Sequence, residues 1–224
     1  MFEDFDMKYT PKSLADIVFL NDSVKEQIED CVSGAIGFPS SGTNGIVLYG
    51  INGTGKSALA KILPNLIEQS RGGESANARF FNISVGGDNG ASIIESIKTQ
   101  ASLISFPYRY HYFVLDEVDN LRKETMLSLK NAMNVNTNNC IYIMTTNNLS
   151  ALDRGVLSRS ICVEFNVPTS TRWLAKCKAL LSDYAVTNVH DSDLLKIIDL
   201  CNGDIRKIMS SIKRLIVKSQ PKVA

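Results

Sequence analysis

The sequence predicts an α/β fold, with a five-stranded parallel sheet covered by helices on both faces and a small three-helix unit after it. Two observations support this prediction. Before Pro168, short apolar runs typical of buried strands alternate with stretches in which apolar residues recur at helical spacing. After Pro168 only helical patterns remain. We therefore expect a sheet domain over residues 1–167 and a helical domain over residues 168–224.

The composition is that of an ordinary globular chain. Its 224 residues suffice for a full hydrophobic core, and 24 Lys and Arg against 23 Asp and Glu give a net charge of +1. That balance provides no global attraction to nucleic acid, so DNA binding would need a local basic surface. The five cysteines include no Cys-x-x-Cys pair, which indicates neither zinc nor a disulfide framework. With no long apolar run and an acidic start, we expect no membrane association and a cytoplasmic location.

The segment before the first strand contains a turn, a helix and a loop. Residues 8–18 indicate an extended stretch with a turn. A helix is predicted to begin at residues 21–23 and to run to about Val32, with Ser23 and Glu26 spaced as a capping box. Residues 34–45 are rich in Gly, Ser and Pro and predict a loop.

The first strand, residues 46–49, leads into the most informative motif of the chain. Residues 50–57, Gly-Ile-Asn-Gly-Thr-Gly-Lys-Ser, fit the phosphate-binding loop (P-loop) pattern, and a helix follows. Backbone N–H groups of such a loop converge on phosphate oxygens in front of a helix N-terminus. We expect the phosphates of a nucleotide to be bound by Gly50, Asn52, Gly53, Thr54, Gly55, Lys56, Ser57 and Ala58, with Lys56 at the β and γ phosphates and Ser57 on Mg²⁺. Pro64 predicts a kink or stop in the helix.

The remaining elements alternate in the same way. Further strands are predicted over residues 79–84, 111–117, 140–147 and 161–165. A glycine loop at residues 86–90 precedes a helix with its apolar side at Ile93, Ile94, Ile97, Ala101 and Ile104 and its tail near Pro107. A second intervening helix is marked by Leu121, Thr125, Leu129 and Met133. The last three helices cover about 170–183, 192–201 and 205–218, with Asp204 as an N-cap.

Polar side chains stand at the ends of two strands. Asp116 and Glu117 follow an apolar run, and Asn147 ends the next strand. Because the carboxyl ends of parallel strands share one edge, we expect Asp116 to lie near Mg²⁺ and Glu117 to orient an attacking water. Acidic pairs also cap helices, but the upstream P-loop favours the catalytic interpretation. The Asn147 amide suits the γ-phosphate or the same water, although a lone Asn after a strand is usually a turn residue.

These motifs together resemble the AAA+ P-loop ATPases, and within them the small ATPase subunits of DNA-polymerase clamp loaders, of the replication factor C and phage type. Residues 114–119 are similar to the Walker B box of that family, and residues 145–148 are similar to sensor 1. Residues 157–160 resemble its Ser-Arg-Cys box, and residues 203–207 its sensor 2. Residues 8–18 look like its Tyr-Arg-Pro segment and adenine-contacting turn.

The resemblance implies roles that spacing alone does not give. By resemblance, Arg159 is an arginine finger that acts on ATP in a neighbouring subunit, and Arg206 contacts phosphate in its own subunit. The adenine pocket would include Tyr9, Pro11 and Val18, while Ser92 and Lys98 are implied to meet DNA phosphates. On spacing alone, both arginines remain surface residues. The implied activity is hydrolysis of ATP by an oligomer of this or related AAA+ subunits on DNA, with primer-template and a sliding clamp as partners.

The chain also departs from the clamp-loader pattern. Thr10 stands where the family has Arg, Ser160 where it has Cys, and residues 130–134 lack its Arg-Thr-Met-Glu chemistry. The sequence ends where clamp loaders continue into a helical collar. Two interpretations are therefore open, a fragment of a longer protein and a protein that assembles without a collar. A helicase loader or another DNA-remodelling AAA+ ATPase is therefore an alternative. An ATP-switched assembly adaptor with little hydrolysis is a second, which the intact Asp116 and Glu117 pair disfavours.

Overall fold

The computed structural model describes residues 5–40, 42–83, 90–135 and 137–219. Within them, five strands form one parallel sheet in the order β2-β3-β4-β1-β5. The strands are β1 (Gly45–Tyr49), β2 (Ala78–Asn82), β3 (His111–Asp116), β4 (Cys140–Thr146) and β5 (Ser160–Glu164). The predicted fold class is confirmed. The predicted strand end at Ser84 and most of the predicted glycine loop at residues 86–90 lie outside the described residues.

Helices cover both faces of the sheet. One face carries α2 (Asp22–Ser33) and α3 (Lys56–Ser70), and the other carries α4 (Ala91–Ala101) and α5 (Lys123–Ala132). Successive side chains of β1 point to opposite faces of the sheet. Ile46 and Leu48 pack in the cluster on the α2 and α3 face, whereas Val47 packs in the cluster on the other face. A strand that is buried on both sides must be apolar at successive positions, which explains the unbroken apolar runs of the sequence.

Three helices after the sheet form a separate apolar cluster. They are α7 (Ser170–Ser182), α8 (Asp191–Leu200) and α9 (Ile205–Ser219), which follow the short α1 (Phe5–Lys8) and α6 (Arg154–Leu157) in the element order. Phe5 of α1 is buried in this cluster beside residues of all three helices, so the amino-terminal segment packs on the helical unit. The domain boundary between residues 167 and 168 stays a prediction.

Helix α3 continues past Pro64 to Ser70, so of the two predicted outcomes, a kink or a stop, the stop is wrong. A proline inside a helix costs about 3 kcal/mol because it removes a hydrogen bond and clashes with the preceding turn. Beyond the proline, however, Ile67 is fully buried and the buried Glu68 accepts the Tyr112 hydroxyl at 2.7 Å. Burial of one such apolar side chain is worth about 1.5–3 kcal/mol, so tertiary contacts of this turn offset the local penalty.

One other helix end and one helix cap differ from the sequence prediction. Helix α4 ends at Ala101, and Ile104 is 88% exposed instead of lying on the buried stripe. Pro107 disfavours helical backbone at the residue before it, so the helix cannot extend to that point. Helix α2 begins from Asn21, whose side chain accepts the Val24 N–H at 2.9 Å, so the cap lies two residues before the predicted Ser23.

Candidate active site

The P-loop lies between the end of β1 and the start of α3, against the first turn of α9. Gly53 and Gly55 have left-handed backbones, with φ of +80° and +93°. A Cβ on Gly53 would lie 2.8 Å from Asp204 Cγ, and one on Gly55 would lie 2.9 Å from Ile205 Cδ1. The Ile205 N–H also donates to the Gly53 carbonyl at 2.8 Å. Glycine is therefore needed at both positions for conformation and for the close approach of α9.

Lys56 is buried beneath this loop. Its Nζ donates to the carbonyls of Gly50 at 2.9 Å and Ile51 at 2.6 Å. Burial lowers the pKa of Lys56, three carboxylates oppose that shift, and the nearby positive charge of Arg206 adds to it. Two cations that disfavour each other are stabilised by an anion placed between them. The charge distribution around the loop therefore suits phosphate.

Asp116 ends β3 beside the first turn of α3. Its Oδ1 accepts a hydrogen bond from Ser57 Oγ at 2.7 Å and a second from the Thr145 hydroxyl. Hydroxyl and carboxylate oxygens are the ligand types that Mg²⁺ prefers, usually one or two from the protein with phosphate oxygens and water completing the set. Ser57 and Asp116 therefore fit a Mg²⁺ site next to the P-loop.

Glu117 has an unusual backbone for a residue with a side chain. Its φ of 60° and ψ of 50° are left-handed, which costs about 1–3 kcal/mol and is often found at functional positions. Its N–H donates to Thr145 Oγ1 at 3.0 Å, and its Oε2 accepts the Asn120 amide at 3.2 Å. The turn directs the Glu117 side chain to the cavity at the carboxyl edge of the sheet.

That cavity, of about 180 Å³, collects most of the predicted catalytic residues. It is lined by residues 52–58 together with Glu117, Thr145, Asn147, Ile205 and Arg206. Four of the five predicted catalytic side chains thus meet at one place, although they come from the P-loop, two strand ends and the helical unit. Asp204 caps α9 as predicted, accepting the Arg206 N–H at 3.0 Å.

A second cavity, of about 120 Å³, adjoins the first through Thr54, Gly55, Ala58 and Ile205, which line both. The three predicted adenine-contacting residues, Tyr9, Pro11 and Val18, all line it, as do apolar side chains of α7 and α9. The Tyr9 hydroxyl donates to Asp183 Oδ2 at 2.9 Å, and burial raises the pKa of Tyr9 to about 12. An apolar slot that continues into a phosphate-binding loop suits a nucleotide base.

Arg159 lies at the amino ends of the strands, on the side of the sheet opposite the cavity. Its carbonyl accepts the N–H groups of Asn44 at 3.1 Å and Gly45 at 2.9 Å, at the start of β1, whereas the P-loop follows the end of that strand. The five residues of β1 span roughly 16 Å at ~3.3 Å per residue. The guanidinium donates to Asn134 Oδ1 at 2.7 Å and to the Gly155 carbonyl at 2.8 Å. Arg159 therefore does not line the cavity of its own chain.

The two predicted DNA contacts lie on α4. Ser92 is in the first turn of this helix, and Lys98 is near its end, where Lys98 Nζ pairs with Glu95 at 3.1 Å. Their role with DNA stays a prediction. Among the helices of the described segments, none has both the length and the apolar character needed to cross a membrane.

Two site residues were missed at the sequence level. Thr145 contacts both Asp116 and Glu117, although only its neighbour Asn147 was assigned a role. Asn166 follows β5, and its Oδ1 accepts the N–H of the P-loop residue Ile51 at 3.2 Å. The signal that could have found Asn166 is the one that found Asn147, a polar residue directly beyond an apolar strand.

Known proteins resemble this chain over most of its length. Residues 46–168, more than half of the chain, match the family described as "ATPase family associated with various cellular activities (AAA)". Similar curated proteins include replication factor C small subunit 2 of Pyrobaculum islandicum, 23% identical, and the replication factor C small subunit of Methanosphaera stadtmanae, 24% identical. Each alignment covers 92% of this chain and 61% of the relative. The chain therefore spans about three fifths of the length of these relatives.

Solved structures show the same fold. The Thermotoga maritima RuvB Holliday junction branch migration motor has a TM-score of 0.68 and 20% identity, with 92% of this chain and 64% of that chain covered. A mutant of RuvB reaches a TM-score of 0.71, also at 20% identity, with 92% and 65% covered. Likeness at this level of identity shows the architecture alone.

Proposed function

The chain belongs to the AAA family of ATPases, and on that premise we propose that it hydrolyses ATP within an oligomer that acts on DNA in the manner of a clamp loader. The observation that carries the proposal is the cavity in which Lys56, Glu117, Asn147 and Arg206 meet. The similarity to replication factor C small subunits supports the clamp-loader class. The proposed partners are copies of this chain or related AAA+ subunits, primer-template DNA and a sliding clamp.

Nucleotide binding uses both cavities. The triphosphate lies along the P-loop N–H groups, where Lys56 Nζ exchanges its carbonyl partners for β and γ phosphate oxygens. Arg206 approaches the same phosphates from α9, and the adenine occupies the apolar slot beside Tyr9 and Val18. Ser57 and Asp116 hold the Mg²⁺ of MgATP, which neutralises phosphate charge when bound.

Hydrolysis requires a positioned water and stabilisation of the charge that develops on the phosphate oxygens. Glu117 lies at the mouth of the cavity, where its carboxylate orients the water and accepts its proton. The Asn147 amide, at the end of the neighbouring strand, donates to the water or to the γ-phosphate. Lys56 and Arg206 supply positive charge from fixed positions, so little reorganisation accompanies the reaction.

The last positive charge comes from another subunit. Arg159 lies a full strand length from the cavity of its own chain. Arg159 would reach the ATP of a neighbouring subunit in an assembly where the amino ends of the strands in one subunit pack against the carboxyl ends of the strands in the next subunit. An arginine supplied in trans is worth ~10³ to 10⁵ in rate, so the isolated subunit is a poor ATPase.

The test is ATP hydrolysis measured against protein concentration, with and without primed DNA and a sliding clamp. Turnover per subunit that rises with concentration and increases further with DNA and clamp together supports the proposal. Turnover that responds to DNA but ignores the clamp indicates another DNA-remodelling AAA+ ATPase. ATP binding without turnover at any concentration contradicts the proposed activity and favours an assembly adaptor.

A further inference from the structure

We propose that Thr145 is a positioning residue that holds both acidic residues of the hydrolytic site, Asp116 and Glu117, in their working geometry. The inference rests on the proposed function, because it concerns how the same site hydrolyses ATP. It adds a residue that contacts neither the base nor, in its proposed role, the phosphates.

One hydroxyl group makes both contacts. Thr145 Oγ1 donates to Asp116 Oδ1 and accepts the Glu117 N–H at 3.0 Å. A hydroxyl has one hydrogen to donate and lone pairs to accept, so the two bonds use it in both directions at once. Thr145 is only 1% exposed, so water does not compete for these bonds.

The sheet fixes where this hydroxyl lies. Strands β3 and β4 are adjacent and parallel, with Leu115 beside Met144, so Asp116 and Thr145 follow at neighbouring positions. On its other side, Thr145 is in register with Leu48 of β1. Because β4 is the central strand and is hydrogen-bonded on both sides, its two neighbouring strands hold the backbone that carries Thr145.

Asp116 has a second hydroxyl partner. Asp116 Oδ1 also accepts from Ser57 Oγ at 2.7 Å, and Ser57 is the hydroxyl assigned to the MgATP complex. Ser57 donates its hydrogen to Asp116 while its lone pairs face that complex, so both hydroxyls orient Asp116, and Thr145 is the one assigned no contact with MgATP. The same Thr145 oxygen anchors the N–H of Glu117, whose left-handed backbone needs support from its surroundings.

A structural role and a positioning role for Thr145 predict different effects of its substitution by valine and by serine. Valine has nearly the shape of threonine, so Thr145→Val keeps the packing while it removes a donor from Asp116 and an acceptor from Glu117. Thr145→Ser keeps the hydroxyl and loses a methyl group. Thr125→Val is the matched control, because Thr125 is a buried threonine on α5 that lies outside the site.

The experiment measures kcat and, separately, the equilibrium affinity for ATP with Mg²⁺ and with EDTA for wild type and the three variants. In Thr145→Val, kcat falls about 10- to 100-fold, the typical cost of losing a group that orients a ligand. Its ATP affinity in EDTA equals that of wild type, but the gain in affinity on adding Mg²⁺ is reduced. Thr145→Ser recovers most of both losses, and Thr125→Val matches wild type.

Three outcomes would overturn the inference: an unchanged kcat and Mg²⁺ response in Thr145→Val, a Thr145→Ser variant as impaired as Thr145→Val, or an equal loss in Thr125→Val. Thermal unfolding of each variant identifies losses caused by misfolding. If Thr145→Val is misfolded, the kcat and the Mg²⁺ response of Thr145→Ser decide between the two roles. If wild type itself binds ATP without turnover, the proposed function fails. The Mg²⁺ dependence of ATP binding then still tests the role of Thr145.

Discussion

The two halves of the proposed nucleotide site are built in different ways. The phosphate half is centred on consecutive P-loop residues that bond to one another, such as Lys56 Nζ to the Gly50 carbonyl at 2.9 Å and Thr54 Oγ1 to the Ile51 carbonyl at 3.0 Å, and side chains from two strand ends and α9 surround this loop. The base half is closed by distant partners, of which Tyr9 and Asp183 are 174 residues apart in the sequence. One half is centred on a local motif, and the other is an interface between segments.

The base half is closed by the burial of Phe5 in the apolar cluster of the helical unit and by partly exposed ion pairs. Helix α7 pairs with the amino-terminal segment through Arg172 and Asp22 at 3.0 Å and through Lys176 and Asp16 at 3.4 Å. Partly exposed pairs of this type contribute about 0–1 kcal/mol each, whereas Thr54, Lys56 and Thr145 of the phosphate half are buried. The comparison teaches that bonds among buried groups hold the phosphate half, whereas contacts between distant segments hold the base half.

The halves are joined at one point, the start of α9. The Ile205 N–H bonds to the Gly53 carbonyl at 2.8 Å, and Ile205 lines both cavities. The next residue, Arg206, lines the phosphate cavity. Movement of the helical unit that alters the base slot would therefore also move a phosphate contact. The following predictions test how far the two halves are separable.

The largest effect is expected where the phosphate half depends on another subunit. Arg159→Ala should keep ATP affinity but lose ~10³-fold or more of the DNA-stimulated turnover. Mixing it with Lys56→Ala protein, which keeps Arg159 but lacks the phosphate contact, should partly restore turnover measured by phosphate release. Absence of rescue at every mixing ratio would count against action across an interface.

Loss of the proposed base should have the next largest effect. Glu117→Gln removes the proton acceptor while keeping the shape of the side chain, so turnover should fall about 10²- to 10⁴-fold with ATP affinity retained. Glu124→Gln is the matched control, because Glu124 is an exposed carboxylate on α5. Phosphate release and ATP titration measure the two quantities, and unchanged turnover would remove Glu117 from the mechanism.

The smallest effect is expected in the base half. Asp183→Asn weakens the acceptor of the Tyr9 hydroxyl and removes the ion pair with Lys8 at 3.4 Å. Because the pair is half-exposed and worth about 1 kcal/mol or less, ATP affinity should fall no more than about fivefold, with kcat unchanged. Asp193→Asn, which breaks the exposed pair with Lys196, serves as control. A large loss of kcat in Asp183→Asn would show that the two halves are not separable.

The fold was predictable to the extent that local pattern and tertiary packing agree. The buried strands and the last three helices follow directly from apolar spacing, and Ile208, Ile212 and Ile216 form the buried stripe of α9. The prediction of a stop at Pro64 failed, because packing beyond the proline outweighs its local penalty. It also failed at Ile104, whose spacing continues the α4 pattern after the helix has ended.

The candidate site divides in the same way. The P-loop and the Asp116 and Glu117 pair are visible because each is a contiguous motif with its own chemistry. Thr145 lies in the stretch that resembles sensor 1, but its own role was not predictable, because a threonine at the end of a strand has many uses and only the strand order places it beside Asp116. No local pattern marks Asp183 either, since its partner Tyr9 is 174 residues away in the sequence.

The sequence by itself determined most elements of this protein and the groups that are proposed to meet phosphate, because those depend on residue spacing and on short-range backbone geometry. The tertiary structure alone decided which of those groups share a cavity. It brought Arg206 to Lys56 through the packing of α9 on the P-loop, and it placed Arg159 at the far edge of the sheet. The physical reason is that strand order and helix packing are set by burial over the whole chain, which no local stretch of sequence encodes.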